Sequence, residues 1–116
     1  MKEIMKQKIK ETWRGWQGHL CVHCRFHLNT LIEYKDKKIV VSTVGNWLDD
    51  MIKKYGTIGI GRKFETYVFN ADLSNEWLDA DVTEQLAFSG AYNTEKQAQK
   101  GHYKILNQVK EYIIKL

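Results

Sequence analysis

Apolar and polar residues alternate with a period of two between residues 19 and 33. The even positions carry mostly core-type side chains: Leu20, Val22, Cys24, Phe26, Leu28, Thr30 and Ile32. The odd positions are polar except for Leu31: His19, Cys21, His23, Arg25, His27, Asn29 and Glu33. Because alternate side chains of a strand lie on opposite faces, the pattern predicts a long strand, bent or bulged along its length. One face is expected to pack on the core, and the other to present the histidines and Arg25.

Three further strands are predicted downstream. Residues 39–44 are rich in β-branched side chains and follow a turn at 36–38. Residues 57–69 resume strand character, with glycines at 59 and 61 marking a turn or bulge. After a turn at 71–75, residues 76–88 contain a fourth strand, expected to end at Leu86 and Phe88. Residues 47–55 have the spacing of a short helix or compact loop, so the connections are short and the sheet should be antiparallel.

Helices are predicted at both ends. Apolar residues at helical spacing among lysines indicate an amphipathic helix over residues 2–14, ended by Gly15 and Gly18. Thr94 and Gln97 have the spacing of a capping box at the start of a long C-terminal helix. Its apolar stripe comprises Ala98, Ile105, Leu106, Val109, Tyr112, Ile113 and Leu116. Gly101 within the helix suggests a close backbone approach.

The predicted fold class is therefore α+β, a small antiparallel sheet of about four strands flanked by an N-terminal and a long C-terminal helix. At 116 residues the chain fits a single domain over 1–116. Two helices can cover one face of the sheet. The other face is expected to be partly open to a ligand or a second subunit.

Composition narrows the class of protein. With 43% hydrophobic and 28% charged residues the chain has ordinary globular composition, and no apolar run reaches the ~20 residues of a membrane span. The net charge of +4 is concentrated in residues 1–14 and 95–116, which contribute +3 each, whereas the middle of the chain is acidic. A sheet that binds along a phosphate backbone would carry its excess positive charge on the strands, so a nucleic acid polymer is not the favoured partner.

The two cysteines indicate a reducing compartment, and a zinc site is the alternative reading of their spacing. Two cysteines three residues apart cannot form a disulfide framework, and no secretory segment is recognised, so a cytoplasmic location is predicted. Cys21, Cys24 and the flanking His19 and His27 have spacing that could suit zinc. In a strand, however, Cys21 and Cys24 point to opposite faces. We therefore expect no metal or other cofactor and a buried core thiol at Cys24, with a small zinc-binding module as an alternative.

The polar strand face is the main candidate for function. Arg25 offers a planar fork for phosphate, while His23 and His27 can hydrogen-bond sugar hydroxyls or base edges. The alternative is a solvated face that maintains solubility, although three histidines in nine residues, mostly uncharged at neutral pH, serve solubility poorly. These residues favour a small phosphorylated, nucleotide-like ligand.

Two further segments could contribute to the same site. Gly59 and Gly61 precede Arg62 and Lys63 in a run that resembles a phosphate-approach loop, although two glycines before a strand more often mark only a bulge. Near the predicted end of the fourth strand, Phe88 could stack on a base and Asn93 could bind its edge. The candidate ligand-binding residues are thus His23, Arg25, His27, Arg62, Phe88 and Asn93.

Enzymatic signatures are lacking. The sequence contains no Gly-x-Ser-x-Gly elbow, no His-Glu-x-x-His and no paired phosphoesterase motif, so we predict a protein that is not an enzyme. Histidines alone could still serve a metal-free nuclease. A basic protein inhibitor or RNA-binding accessory domain is a further alternative, with contacts at Lys8, Lys10, Arg14, Lys104 and Lys110.

Three segments and the C-terminal helix resemble a family of small phage proteins. Residues 24–31 (CRFHLNTL), 39–46 (IVVSTVGN) and 61–66 (GRKFET) look like those of the Thoeris anti-defence sponges, which sequester cyclic ADP-ribose signals made by bacterial TIR enzymes. The resemblance implies a non-enzymatic immune evasion factor in the host cytosol. It further implies a homo-oligomer, a dimer or multiple of dimers, with pockets where protomers meet and, in some members, separate sites for cyclic oligonucleotides. Arg25 and Arg62 would then be phosphate ligands, Phe88 the stacking ring and Asn93 a weaker candidate.

Overall fold

A computed structural model describes residues 8–15, 24–47, 62–72 and 81–116. Five strands form one antiparallel sheet in chain order: β1 (Lys10–Trp13), β2 (Cys24–Tyr34), β3 (Lys37–Trp47), β4 (Phe64–Asp72) and β5 (Asp81–Tyr92). The helix α1 (Glu95–Ile113) follows the last strand. The predicted α+β class, the antiparallel sheet and the long C-terminal helix are confirmed. The sheet has one strand more than expected.

The extra strand lies where the N-terminal helix was predicted. Residues 10–13 pair with β2 from Lys10↔Glu33 to Trp13↔Thr30, and the Arg14 amide donates to the Asn29 carbonyl at 2.8 Å. The prediction of a helix is therefore wrong over this segment, and its residues 2–7 lie outside the described chain. The spacing of apolar residues does not show that the edge of β2 is available for pairing. The backbone hydrogen bonds that residues 10–13 form with β2 outweigh the local helix propensity of this segment.

The first hairpin is longer and tighter than predicted. β2 and β3 pair at every residue from Phe26↔Gly45 to Tyr34↔Lys37, so the connection is a two-residue turn at Lys35 and Asp36, with Lys35 at φ 55°. The bend or bulge expected within the long strand stays a prediction, although the pairing of β2 with β3 skips Arg25. Cross-strand pairing carries β3 beyond the predicted residues 39–44 at both ends. Residues 19–23 of the predicted strand lie outside the described residues.

The β4–β5 pair corrects two boundaries. β4 continues through Asp72, where a turn was expected from residue 71, and β5 continues through Tyr92 rather than ending at Phe88. Ser89 and Gly90, which are typical of a loop, pair instead with Tyr67 and Thr66. Irregular register between Tyr67 and Phe69 supplies a bulge in this hairpin, and such bulges are a common way for a sheet to bend.

Helix α1 begins as its sequence predicts. Thr94 Oγ1 accepts from the Gln97 amide at 3.1 Å, and Gln97 Oε1 accepts from the Asn93 amide at 3.0 Å. These bonds satisfy backbone donors at the helix start. A Cβ on Gly101 would overlap the Tyr92 ring, so the predicted close approach is confirmed.

The principal core lies between α1 and one face of the sheet. Its buried residues are Ile32, Tyr34, Ile39, Val41, Val68, Ile105, Leu106, Val109 and Ile113. All helix residues of this set belong to the predicted apolar stripe. Burial of this stripe against the central strands supplies the main hydrophobic stabilisation of the described fold. In the described chain, no helix has the length and apolar character needed to cross a membrane.

The opposite face of the sheet is open only in part. Across β2, β3 and β4 it is buried, at Asn29, Leu31, Val40, Ser42, Val44 and Glu65. On β5 the equivalent positions Ala87, Ser89 and Ala91 are exposed. Alternation therefore predicts which residues share a face, but the assignment of one face of β2 to solvent is wrong for His27 and Asn29.

Candidate ligand-binding site

One end of the sheet gathers basic and amide side chains from four connected strands. In an antiparallel meander the start of β2, the end of β3, the start of β4 and the end of β5 lie together. Arg25 is the second residue of β2, and Asn93 directly follows β5. We call this end the basic sheet end and define it by Arg25, Asn46, Arg62, Lys63 and Asn93.

Backbone hydrogen bonds fix the order of these residues. The Asn46 amide donates to the Lys63 carbonyl at 3.0 Å, and the Lys63 amide donates to the Tyr92 carbonyl at 3.0 Å. Residue 25 lies opposite residue 46, between the pairs Cys24↔Trp47 and Phe26↔Gly45. With neighbouring strands about 4.8 Å apart, the backbones of residues 25 and 63 are about 10 Å apart. Flexible arginine and lysine side chains can converge on one anion across that span.

Packing beneath the basic sheet end holds it in place. The Phe26 and Phe64 rings meet edge to face at 5.3 Å, and a Cβ on Gly45 would overlap the Phe64 ring. Asn46 adopts a positive φ of 59°, which asparagine tolerates better than most residues. Arg25, Arg62, Lys63 and Asn93 are all exposed at this end of the sheet. A rigid base with exposed cations is a suitable arrangement for an anionic ligand.

His27 has a different environment from the one predicted. Its side chain is buried, and its Nε2 lies 2.7 Å from the Cys24 carbonyl oxygen. It shares a sheet face with Arg25 two residues away, but its ring is engaged within its own strand. His23 lies outside the described residues.

Phe88 is separate from the basic sheet end. It lies within β5, four residues before Tyr92, and its ring meets Tyr112 of α1 edge to face at 5.4 Å. Four strand residues correspond to about 13 Å. Arg25, Arg62 and Asn93 therefore lie at the same end of the sheet, whereas Phe88 lies against the core.

A buried histidine that the sequence analysis missed joins α1 to three strands. His102 is fully buried and contacts Thr30 Oγ1 at 3.0 Å and Thr43 Oγ1 at 2.7 Å, while Thr43 bonds Thr66 Oγ1 at 2.6 Å. Burial lowers the pKa of His102 to about 4, against a smaller raising effect of Glu11. The available signal was its position four residues after Ala98, on the apolar stripe. Its enclosure among hydroxyls indicates a structural role.

A row of polar residues crosses the sheet on the face opposite α1. Asn29 pairs with Ser42, Ser42 with Tyr67 and Tyr67 with Ser89. Glu65, on the same face, raises the pKa of Tyr67 by its negative charge, with burial and a hydrogen bond adding to the effect. No hydrogen-bond partner reaches Asn29 Oδ1 in the described structure. The row is buried at Asn29 and Ser42, half-buried at Tyr67 and exposed at Ser89.

The geometry gives little support to the two alternatives, a zinc-binding module and a basic protein inhibitor or RNA-binding domain. The described part of the chain holds no cluster of His, Cys, Asp or Glu that could bind a metal ion, whereas Cys21 and His19 lie outside it. Cys24 is buried, as predicted. Lys110 forms a 2.6 Å ion pair with Glu11, which neutralises one of the cations expected to contact RNA or a partner protein.

No protein-family model, curated protein or solved structure matches this chain.

Proposed function

We propose that the chain is a non-enzymatic protein that binds a small phosphorylated, nucleotide-like molecule at the basic sheet end. The resemblance in residues 24–31, 39–46 and 61–66 points to a cyclic ADP-ribose signal as the ligand. On this proposal the protein sequesters that signal in the host cytosol and so protects a phage from TIR-based Thoeris defence.

The observation that carries the proposal is that Arg25, Arg62 and Lys63, from two separate parts of the chain, lie at the same end of the sheet. Two guanidinium groups can each donate paired hydrogen bonds to phosphate oxygens, and an ammonium adds charge without a fixed geometry. Asn46 and Asn93 lie next to these cations and offer amide donors and acceptors for a ribose or base edge. Cations with neighbouring amides match a diphosphate joined to a nucleoside better than a bare anion.

The two histidines that the structure describes, His27 and His102, favour binding over catalysis. General acid–base catalysis needs an imidazole within hydrogen-bond reach of the substrate. His27 and His102 are both buried and both bonded within the fold. They are therefore poorly placed to exchange protons with a ligand at the basic sheet end.

The decisive experiment measures binding and the fate of the ligand together. Cyclic ADP-ribose isomers are titrated into the protein by calorimetry, and the bound ligand is then released by heat denaturation and identified by mass. We expect saturable binding and recovery of the unchanged ligand. Recovery of a hydrolysed product would make the protein an enzyme, and absence of binding by any isomer would refute the ligand assignment.

Substitutions locate the site. Arg25→Ala and Arg62→Ala should each weaken binding by at least about tenfold, because each removes charge-assisted hydrogen bonds worth about 1.5–3 kcal/mol. Lys35→Ala is the matched control, since Lys35 is an exposed cation in the turn at the opposite end of the sheet. Equal affinity of Arg25→Ala and Lys35→Ala would place the ligand elsewhere.

A further inference from the structure

Glu65 is a buried carboxylate next to the basic sheet end. The Lys63 amide continues the pairing of β4 beyond the first residue of the strand, so Lys63 and Glu65 share the face opposite α1. The two residues are about 6.6 Å apart along the chain. The cross-strand neighbours of Glu65 are Val44 of β3 and Ala91 of β5, which are both uncharged. A negative charge therefore lies directly beside the cations of the proposed ligand site.

The Glu65 carboxylate has the capacity for several hydrogen bonds at once. The Tyr67 hydroxyl donates one of them. An ionised carboxylate only accepts, and it has about four acceptor positions. Burial strengthens each bond that it accepts, because the surroundings screen the charge less than water does. Glu65 is thus suited to accept a hydrogen bond from a ligand hydroxyl.

A ligand can approach this carboxylate from the side of β5. Glu65 itself is 6% exposed, but Ala91 opposite it and Ser89 opposite Tyr67 are small and exposed. A molecule with its phosphate at Lys63 can extend over these small side chains toward Glu65. The spacing of about 6.6 Å between two such positions is close to the separation of a phosphate from the ribose hydroxyls of a nucleotide.

We propose that Glu65 selects the sugar of the ligand: its carboxylate accepts a hydrogen bond from a free ribose hydroxyl and repels a ribose that carries a phosphate there. This inference rests on the proposed nucleotide-like ligand and adds the class of sugar that the ligand must contain. Cations at the basic sheet end by themselves would favour the more highly phosphorylated ligand. Glu65 opposes that preference, as an acidic residue does where dinucleotide-binding proteins choose an unphosphorylated ribose.

Three kinds of ligand test this selection on the wild-type protein. They are the cyclic ADP-ribose isomer that binds most tightly, the same isomer lacking one free ribose hydroxyl, and the same isomer with that hydroxyl phosphorylated. Each free hydroxyl is modified in turn, and binding is measured by calorimetry. At one position, both modified ligands should bind at least about tenfold more weakly than the parent. The first loses a hydrogen bond to a charged group, and the second brings a like charge against Glu65.

Glu65→Gln tests the residue itself. Glutamine keeps the size of the side chain and an oxygen that can accept from Tyr67, but it removes the charge. The preference for the parent over the phosphorylated ligand should fall by at least about tenfold, and the preference over the deoxy ligand should also shrink. Glu33→Gln is the matched control, since Glu33 lies on the same face about 26 Å from residue 25, at the other end of β2. It should leave both preferences unchanged.

The preferences separate a role in selection from a role in folding. Each is a ratio of two affinities measured on one protein, so a partly unfolded preparation does not alter it. Ratios near one at every hydroxyl in the wild type, or equal ratios in Glu65→Gln and the wild type, would overturn the role of Glu65 and leave the ligand site in place. If Glu65→Gln does not fold, the wild-type ratios decide. Absence of binding by every parent isomer would instead overturn the proposed function, and this inference with it.

Discussion

At the residue scale, the strongest constraints come from single groups enclosed between α1 and the sheet. His102 accepts and donates within a ring of threonine hydroxyls, and Gly101 makes room for the Tyr92 ring. A side chain at position 101 would clash with the Tyr92 ring, and a residue at position 102 without matching ring nitrogens would leave buried hydroxyls unsatisfied. Substitutions of His102 or Gly101 should therefore lower the free energy of unfolding.

Protonation of His102 should destabilise the fold in acid. Its folded pKa is about 4, below the ordinary value of about 6.5, so the unfolded chain binds the proton more tightly. This contribution to the free energy of unfolding is fully present above about pH 6.5 and is lost as pH falls toward 4. Its full size is about 3 kcal/mol.

Urea denaturation at successive pH values measures this effect. His102→Gln keeps a hydrogen-bonding amide and cannot titrate in that range, so its stability should change less between pH 6.5 and 4 than that of the wild type. The same pH dependence in both proteins would show that His102 does not contribute to it.

Gly101→Ala should destabilise the protein by more than about 2 kcal/mol, although alanine favours a helix by about 1 kcal/mol. The added Cβ would overlap the Tyr92 ring, which lies against the helix backbone. Gln99→Ala at an exposed site of α1 should change stability by less than about 0.5 kcal/mol. If the clash is the cause, Tyr92→Leu should recover part of the loss in the double variant. Strictly additive losses would point to another cause.

At the element scale, local sequence specifies α1 well and β1 poorly. The sequence of the helix contains its capping residue, its apolar stripe and the glycine at its closest contact, and each of these features can be recognised in the sequence. β1 has no such internal signal, since its four residues are held by pairing with β2. His27 shows the same limit. Period two placed it on a face, but the covering of that face is a property of the assembled molecule.

The cap of α1 can be tested by one substitution. Thr94→Ala removes the acceptor for the Gln97 amide and should lower the free energy of unfolding by about 1 kcal/mol. Lys96→Ala, exposed in the first turn, is the control and should have little effect. Thermal unfolding of both variants measures the difference. An equal melting temperature for Thr94→Ala and the wild type would show that water replaces the cap at no cost.

At the scale of the whole molecule, the distribution of charge separates the proposed ligand from a polymer. The basic sheet end offers only a few cations, and Lys110 is already paired with Glu11. A nucleic acid held by many lysines would release many counterions, so its affinity would fall steeply with salt. A ligand held by two or three cations depends on salt much less.

Binding measured at low and physiological salt should distinguish these two cases. When salt is raised from low to physiological concentration, we expect the affinity for a cyclic ADP-ribose isomer to fall by less than about tenfold. The affinity for a single-stranded RNA should fall much further. Lys104→Ala should affect only RNA binding. Tight, salt-resistant RNA binding would favour the accessory-domain alternative.

The sequence by itself determined the class of fold, which residues of the β2–β3 hairpin share a face, the start of α1 and the aliphatic residues Ile105, Leu106, Val109 and Ile113 that α1 buries, although Leu116 of the predicted stripe is exposed. Those features depend on periodicity and on contacts three or four residues apart, which a linear pattern records. Only the tertiary structure decided that residues 10–13 join the sheet, that His102 bridges strands, and that Arg25, Arg62 and Asn93 lie at one end while Phe88 does not. The reason is physical, because these outcomes depend on cross-strand hydrogen bonds and packing between residues distant in sequence, whose energies no local pattern contains.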